Sequence, residues 1–178
     1  MHLFPTNSCE SFKTKLYRWY FNFYPAYRRT GGRVCFISED WHETHIKLSL
    51  NWTTRNYVGT VFGGSIYGAT DPVYMLQLLK ILGDKYIIWD KSATVKFISP
   101  IKNRVYAKFE LSREIIGEIK AQVAEHNKYI IHLPVKFVDK NAKVYAMITK
   151  TLYIANKEYY KSRSEIRKKA SSSGSLVD

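Results

Sequence analysis

Apolar and polar residues alternate along several segments of the chain, with the two-residue period of strands that bury one face. Residues 44–50 show this most clearly, since Ile46, Leu48 and Leu50 alternate with polar residues. Pro134 predicts that its strand is an edge strand or carries a bulge, because proline cannot donate a hydrogen bond to a neighbouring strand. The pattern predicts strands at 34–39, 44–50, 86–98, 104–111, 129–138 and 144–155.

Two segments between these strands have the period of a helix. Residues 65–82 are apolar on nearly every side, which predicts a helix buried over most of its surface, with Gly83 as a left-handed end. Residues 112–127 place Ile115 and Ile119 on the same face, one turn apart. We therefore expect one central buried helix and a second helix with one buried side.

An aromatic stripe along residues 8–24 predicts a further helix near the N-terminus. Asn7 and Glu10 have the spacing of a capping pair, and Pro25 ends the helix because it cannot continue the backbone ladder. Most amphipathic helices turn their apolar side to a core, so we expect the stripe to dock on the domain. The stripe consists of Phe12, Leu16, Trp19, Tyr20 and Phe23.

The order of the predicted elements indicates the fold class. Short links between consecutive strands favour antiparallel pairing, so we predict an α+β fold with one apolar helix lying on an antiparallel sheet. The chain divides into a basic aromatic helix and linker (1–33), a main domain (34–155) and a basic, serine-rich tail (156–178). The end of the tail, 170–178, is small and polar and is expected to be disordered.

The composition is that of a folded domain and excludes a wholly disordered chain, with 46% hydrophobic and 24% charged residues among 178. Cys9 and Cys35 are the only cysteines, too few for a disulfide framework or a four-thiolate zinc site. This favours a reducing compartment. Residues 1–13 lack the apolar stretch of a secretory signal, so we expect a cytoplasmic protein.

The net charge of +13 is concentrated near the two ends of the chain. Such charge favours a phosphate-bearing ligand or an acidic protein partner. The segment 8–24 could instead lie on an anionic membrane surface, while nucleic acid is the least favoured partner. Between residues 11 and 33 the chain has no acid, and its basic residues are Lys13, Lys15, Arg18, Arg28, Arg29 and Arg33.

Residues 56–71, NYVGTVFGGSIYGATD, could carry chemistry. The pair Gly63 and Gly64 lets a ligand approach the backbone closely, and a helix beginning there would point free N–H groups at it. Such donors can stabilise a developing oxyanion. Asp71 follows about two helical turns later and could act as a base or a nucleophile.

The run N-x-x-G-T-x-F-G-G at 56–64, followed by Asp71, resembles the motif of the hotdog-fold thioesterases. It is most similar to the phenylacetate-degradation type, whose motif is N-x-x-G-x-x-H-G-G with an Asp at the same spacing. The resemblance spans 34–155 and points to an uncharacterised thioesterase-like branch of that superfamily. It implies a curved antiparallel sheet wrapped around one long helix, and acyl-CoA or acyl-carrier thioesters bound at the interface of a homodimer or a dimer of dimers.

The resemblance also assigns roles by position. Gly64, together with Gly63, would donate backbone hydrogen bonds to the thioester carbonyl, and Asp71 would attack it or activate water. Asn56 would position the water or the substrate. Gly59 and Phe62 would contact the substrate, and coenzyme A would be present as part of that substrate rather than as a separate cofactor.

Two features of the motif leave other interpretations open. Phe62 stands where the family has His, and phenylalanine cannot hydrogen-bond a substrate, which favours a protein that binds an acyl group or lipid without hydrolysing it. Pro72 directly follows Asp71, and Asp before Pro is a common helix start, so Asp71 could simply cap a helix beginning at Pro72.

The sequence His42-Glu43-Thr44-His45 has a superficial likeness to a metal site. Zinc needs three or four ligands, and no further ligand is evidently placed beside these two histidines. Positions three apart on a strand also face opposite sides of a sheet. We therefore predict no metal site.

Overall fold

The computed structural model describes residues 4–6, 8–163 and 165, which form one six-stranded antiparallel sheet with helices packed on it. The predicted α+β architecture is confirmed. The helices are α1 (Phe12–Phe23), α2 (Pro25–Arg29), α3 (Gly63–Thr70), α4 (Val73–Leu82) and α5 (Arg113–His126). Residues 157–163, the start of the segment assigned to the tail, are also helical. The strands are β1 (Arg33–Ile37), β2 (Glu43–Leu48), β3 (Tyr86–Phe97), β4 (Val105–Glu110), β5 (Lys128–Val138) and β6 (Val144–Asn156), in the spatial order β1-β2-β4-β5-β6-β3.

The core lies between the sheet and the α3–α4 segment. Leu78 of α4 is fully buried, and the Tyr74 ring packs edge-on against Phe109 of β4 at 4.9 Å between centroids. The Tyr74 hydroxyl donates to the Pro134 carbonyl at 2.8 Å, which ties the helix to β5. These contacts fix the position of α4, and therefore of the residues just before it.

The buried helical segment differs from the prediction in one respect. It begins at Gly63 rather than at residue 65, and it is interrupted at Asp71 and Pro72, so that α3 and α4 are two consecutive helices. Proline has no N–H to continue the ladder of α3, which explains the interruption. Gly83 ends α4 with φ of +76°, as predicted.

One edge of the sheet is covered by α1. The Asn22 side chain donates to the Val34 carbonyl and accepts from the Val34 amide, both at 2.9 Å, so it replaces a neighbouring strand at that point of β1. Glu10 accepts a third edge hydrogen bond, from the Ile37 amide. At the other edge lies β3, and within the described residues no strand pairs with its outer side.

The prediction that Pro134 marks an edge strand is wrong for β5 as a whole, which lies inside the sheet, although no β4 residue pairs with Pro134 itself. Nor is Pro134 at a bulge, since the register shift between β5 and β6 lies at Phe137 and Val138. On its other side, β5 pairs with β4 at one position only, Val138 opposite Tyr106. Near Pro134 the strand is therefore paired on the β6 side alone, so a missing N–H need not break a bond to β4.

The N-terminal helix differs most from the prediction. It starts at Phe12 and is capped by Ser11, whose Oγ accepts from the Thr14 amide, whereas Glu10 pairs with Arg18 at 2.8 Å. The aromatic stripe does not dock on the domain but faces solvent. Pro25 ends the run as predicted, and it also begins α2, which the sequence pattern did not indicate.

Two predictions fall outside the described residues: the capping role of Asn7 and the disorder of 170–178. Within the described residues no helix is both long enough and apolar enough to cross a membrane. The boundaries proposed for the three segments of the chain stay a prediction.

Candidate functional site

The glycine pair forms the first turn of α3. Phe62 precedes it as an extended N-cap residue with φ of −63° and ψ of 135°. A Cβ on Gly63 would lie 3.0 Å from Cζ of Phe97, and one on Gly64 would lie 2.3 Å from Cε1 of Phe62. A side chain at either position would therefore press on an exposed phenylalanine ring, which would have to shift. The amides of both residues have no acceptor within the helix and lie at its positive end.

Asn56 holds the loop that leads to this turn. Its Oδ1 accepts from the Thr60 amide and its Nδ2 donates to the Thr60 hydroxyl, both at 2.9 Å. Gly59 sits between them with φ of +81°, a conformation that favours glycine, and its amide donates to the Asn56 carbonyl. The observed contacts of Asn56 and Gly59 are therefore those of a loop scaffold, and their contact with substrate stays a prediction.

A cavity of about 410 Å³ adjoins the glycine pair. It lies where the loop, the start of α3 and the end of β3 meet, and its wall includes Asn56, Gly63 and Phe97. Phe62 is more than half exposed beside α3. The cavity thus has backbone donors on one side and aromatic surface on the other.

Asp71 belongs to a charge cluster that surrounds a buried lysine. Its Oδ1 accepts from Lys150 Nζ and from the Tyr67 hydroxyl, each at 2.8 Å. The Lys150 side chain is fully buried and also lies 3.2 Å from Oδ1 of Asp90. Lys150 Nζ is 5.0 Å from the centroid of the Tyr67 ring, within range of a cation–π contact. One ammonium group therefore faces two carboxylates.

The cluster makes Asp71 and Asp90 chemically unlike. Burial raises the pKa of Asp71, but hydrogen bonds from Lys150 and Tyr67 outweigh it and hold this pKa below its usual value. Burial also raises the pKa of Asp90, and there the attraction of Lys150 does not compensate. Burial lowers the pKa of Lys150, but its two carboxylate partners raise it further, so the lysine is charged at neutral pH. Asp71 is therefore the firmly ionised carboxylate.

A second cavity, of about 670 Å³, lies between the N-terminal helices and the α3–α4 segment. Asp71 and Tyr67 contribute its polar groups on the α3 side, and Asp71 is about half exposed. The remaining wall is mostly apolar and aromatic. It includes Tyr20, Phe21, Tyr24, Trp41, Met75 and Leu76.

Within one chain, Asp71 and the glycine pair do not share a cavity. Gly63 lines the smaller cavity and Asp71 the larger. Gly64 and Asp71 are separated by about 10 Å along the helix, at 1.5 Å per residue. A single carbonyl group in one chain thus cannot contact both.

The contacts of Asp71 exclude the alternative in which it caps a helix beginning at Pro72. Asp71 has helical φ and ψ, and its own amide donates to the Tyr67 carbonyl as the last bond of α3. No side chain caps the start of α4. The Asp71 carboxylate is bound instead by side chains from α3 and β6.

The sequence analysis did not identify Lys150, Asp90 or Tyr67. A signal for Lys150 was present, because the alternation of β6 puts it on the same side as Ile148 and Leu152, which are buried. A lysine at such a position must find a countercharge. The sequence did not indicate which carboxylate would supply this countercharge.

The two histidines of the apparent metal motif have protein partners. A ring nitrogen of His42 hydrogen-bonds the Leu111 carbonyl, and Nε2 of the buried His45 hydrogen-bonds Glu43. Glu43 also lies 3.5 Å from Lys108. Among the described residues no three His, Cys, Asp or Glu side chains are grouped as they would be around a metal ion.

Comparison with protein families gives one match, which covers most of the chain. Residues 14–154 match the family described as Domain of unknown function (DUF4442). The matched range includes α1 and all six strands up to Ile154. No curated protein matches the sequence.

Solved structures with the same fold include several thioesterase-like proteins. A Pseudomonas aeruginosa protein of unknown function, described as a probable thioesterase, has a TM-score of 0.70 and 18% identity, covering 80% of this chain and 95% of that one. A Haemophilus influenzae thioesterase has a TM-score of 0.60 and 13% identity, covering 85% and 96%. A mutant thioesterase from Staphylococcus aureus has a TM-score of 0.53 and 14% identity, covering 72% and 96%.

Proposed function

The chain belongs to the DUF4442 family, and from its thioesterase-like hotdog fold and its charge cluster we propose that it hydrolyses an acyl thioester with Asp71 as base or nucleophile. One observation carries the proposal: Lys150 and Tyr67 hold an ionised Asp71 in the wall of a large apolar cavity. Both bonds use Oδ1, so Oδ2 can face a ligand. Such a cavity suits an acyl chain whose reactive end lies at the carboxylate.

In the base route, Asp71 takes a proton from water and the water oxygen bonds to the thioester carbonyl carbon. The C–S bond then breaks, the thiolate takes up the proton, and a carboxylic acid and a thiol leave. In the nucleophile route, an Asp71 oxygen bonds to the carbonyl carbon, the C–S bond breaks and the thiolate leaves. Water then hydrolyses the resulting anhydride, which frees Asp71 and the carboxylic acid, and the second proton of the water goes to the thiolate. In both routes Lys150 keeps Asp71 ionised before the attack.

The developing oxyanion needs donors, and the amides of Gly63 and Gly64 fit that role. Since Gly63 and Asp71 line different cavities, we propose that a catalytic site combines the glycine pair of one copy with Asp71 of another. This requires a homodimer. The unpaired outer side of β3 is a suitable contact, because an exposed strand edge is a template for a further strand.

The register of β3 supports this pairing. Lys150, which holds Asp71, lies opposite Ala93 of β3, whereas Gly63 lies against Phe97 four residues along the same strand. If two β3 strands paired antiparallel about Val95, Ala93 of each copy would face Phe97 of the other. Asp71 of each copy would then approach the glycine pair of the other.

Coenzyme A is the proposed carrier of the acyl group, because the chain's net charge of +13 favours its phosphates. We expect a purified protein to release free thiol from a panel of acyl-CoA esters. Longer chains should be used better than acetyl-CoA, since each buried methylene contributes about 0.8 kcal/mol. The measurement is thiol release against chain length, alongside binding of the same esters by calorimetry.

A second function, acyl or lipid binding without hydrolysis, is favoured by Phe62, which stands where the phenylacetate-degradation-type motif has His. Its ring lies against Gly64 and adds apolar surface beside the donors. Saturable binding without thiol release would support this function and overturn the enzymatic one. Absence of both binding and release would overturn both.

The pKa of Asp71 gives a prediction for the pH dependence of hydrolysis. A base acts while ionised, and the pKa of Asp71 is held below its ordinary 3.8, so activity should be lost only as pH falls through that lowered value. We expect kcat/KM to stay level from neutral pH down to about pH 5. Loss of activity between about pH 6 and 7 would instead indicate a histidine base.

A further inference from the structure

Helix α1 turns a continuous aromatic face to solvent. Its members are between 55% and 85% exposed, although each is a large apolar side chain. The Trp19 and Phe23 rings also lie on each other, with centroids 4.6 Å apart. A patch of this kind on a protein surface marks an interaction site. The members of this aromatic face are Phe12, Leu16, Trp19, Tyr20 and Phe23.

The opposite side of α1 attaches the helix to the domain. The Tyr17 ring packs edge-on against Trp41 at 5.4 Å, and the Phe21 ring packs against Tyr27 at 4.3 Å. Thr14 is buried on the same side. The contacts that attach α1 to the domain therefore do not use the aromatic face, so this face is free to contact a partner.

Lysines border the aromatic face on both sides. At about 100° per residue, the face is centred between Phe12 and Phe23, with Lys13 displaced to one side and Lys15 to the other. Both lysines are exposed. Arg18 is turned toward Glu10, which offsets its charge. An aromatic strip with one lysine on each side matches the interface of an anionic bilayer.

From this arrangement we infer that α1 docks the protein on anionic lipid bilayers, with its aromatic face among the acyl chains and Lys13 and Lys15 at the headgroups. A second copy fits this face less well, because a two-fold contact would bring like-charged lysines together. The large cavity agrees with a lipid surface: Tyr20 and Tyr24 are exposed and also line it. This inference does not depend on hydrolysis, and its tests do not measure turnover.

Co-sedimentation with vesicles tests the charged border. We expect the full chain to bind phosphatidylcholine vesicles containing phosphatidylglycerol and to bind pure phosphatidylcholine much more weakly. Reversing both lysines (Lys13→Glu with Lys15→Glu) should lower the partition coefficient at least about 25-fold, at roughly fivefold per charge. The matched control, Lys120→Glu with Lys128→Glu, makes the same charge change at exposed positions elsewhere.

A second pair of variants tests the aromatic face. Replacing Trp19 and Phe23 by alanine should lower binding at least about tenfold without changing the melting temperature, because both are exposed. The control replaces Trp52 and Tyr57, two aromatic residues that are more exposed than Trp19 and Phe23, by alanine.

Three outcomes would overturn the inference. One is equal binding to the two kinds of vesicle, and another is equal loss in the α1 and control variants. The third is a dimer that forms through α1 in solution, shown by a fall in mass on Leu16→Glu without any vesicle binding. That result would make a second copy the occupant of the aromatic face.

Discussion

Replacing Asp71 with asparagine is expected to lower the rate of thioester hydrolysis by about 10²- to 10⁴-fold, the usual contribution of a positioned base. Asparagine has the shape of aspartate, but its amide neither takes a proton from water nor attacks a carbonyl. Lys150 would still face Asp90, so the cluster keeps one ion pair. The measurement is kcat/KM from thiol release, with binding of the ester measured on the same preparation.

Asp84→Asn is the matched control, because Asp84 is an exposed carboxylate in a turn outside the cluster. Its rate should equal that of the unmodified protein. Equal rates for Asp71→Asn and the unmodified protein would contradict the catalytic role of Asp71. Unchanged ester binding with lost turnover would separate a chemical role from a role in binding.

The proposed sharing of a site between two copies has its own readout in the same assay. Gly63→Pro removes one donor at a helix position where proline is tolerated, and Phe62 before it already has the extended conformation that proline requires. Gly63→Ala keeps the donor and controls for the added carbon.

Co-expressing Asp71→Asn with Gly63→Pro should restore about a quarter of the sites, since half the dimers are mixed and each holds one intact site. No restoration would place the whole site in one chain.

Much of the fold could be predicted because burial on one side of a strand leaves a simple pattern. The six strands and α5 follow from alternation and helical period, and Gly83 from the need for positive φ. The sequence left two starts open for the buried helix, near the glycine pair or at Pro72, and the helix begins at Gly63. These features are local, so the sequence near them contains the relevant information.

The face of α1 could not be predicted, because the helix has two apolar sides. Tyr17 and Phe21 lie opposite the aromatic face and pack on the domain, whereas the stripe with more aromatic residues faces solvent. Periodicity identifies an apolar stripe but not which of two stripes meets the core. The Asn22 contact with the edge of β1 helps to decide the orientation, and that edge is known only once the sheet is assembled.

The role of Asp71 was undecided for a similar reason. Asp before Pro is typical of a helix start, whereas the spacing from the glycine pair indicates a site carboxylate, and the local sequence does not decide between the two. The role becomes clear from the hydrogen bond that Asp71 accepts from Lys150, which lies 79 positions away in the chain. A buried lysine was predictable from the alternation of β6, but its pairing with Asp71 depends on how the helix lies across the strands.

Lys150→Met is expected to destabilise the protein by about 3 kcal/mol at neutral pH, the lower end of the cost of removing one partner from a buried ion pair. Methionine fills a similar volume but leaves Asp71 and Asp90 as two carboxylates without a cation. The lower end applies because Asp71 is half exposed and partly hydrated. The measurement is the free energy of unfolding from urea denaturation.

The pH dependence of that loss tests its electrostatic origin. Without Lys150 the folded-state pKa values of Asp71 and Asp90 should rise above their unfolded values, so protonation favours the folded state and the deficit should shrink as pH falls from about 7 to 4. Adding Asp90→Asn to Lys150→Met removes one of the two charges and should recover part of the stability at neutral pH. A deficit that is independent of pH and unchanged by Asp90→Asn would mean that Lys150 contributes packing rather than charge, and Asp71 would then need another source for its lowered pKa.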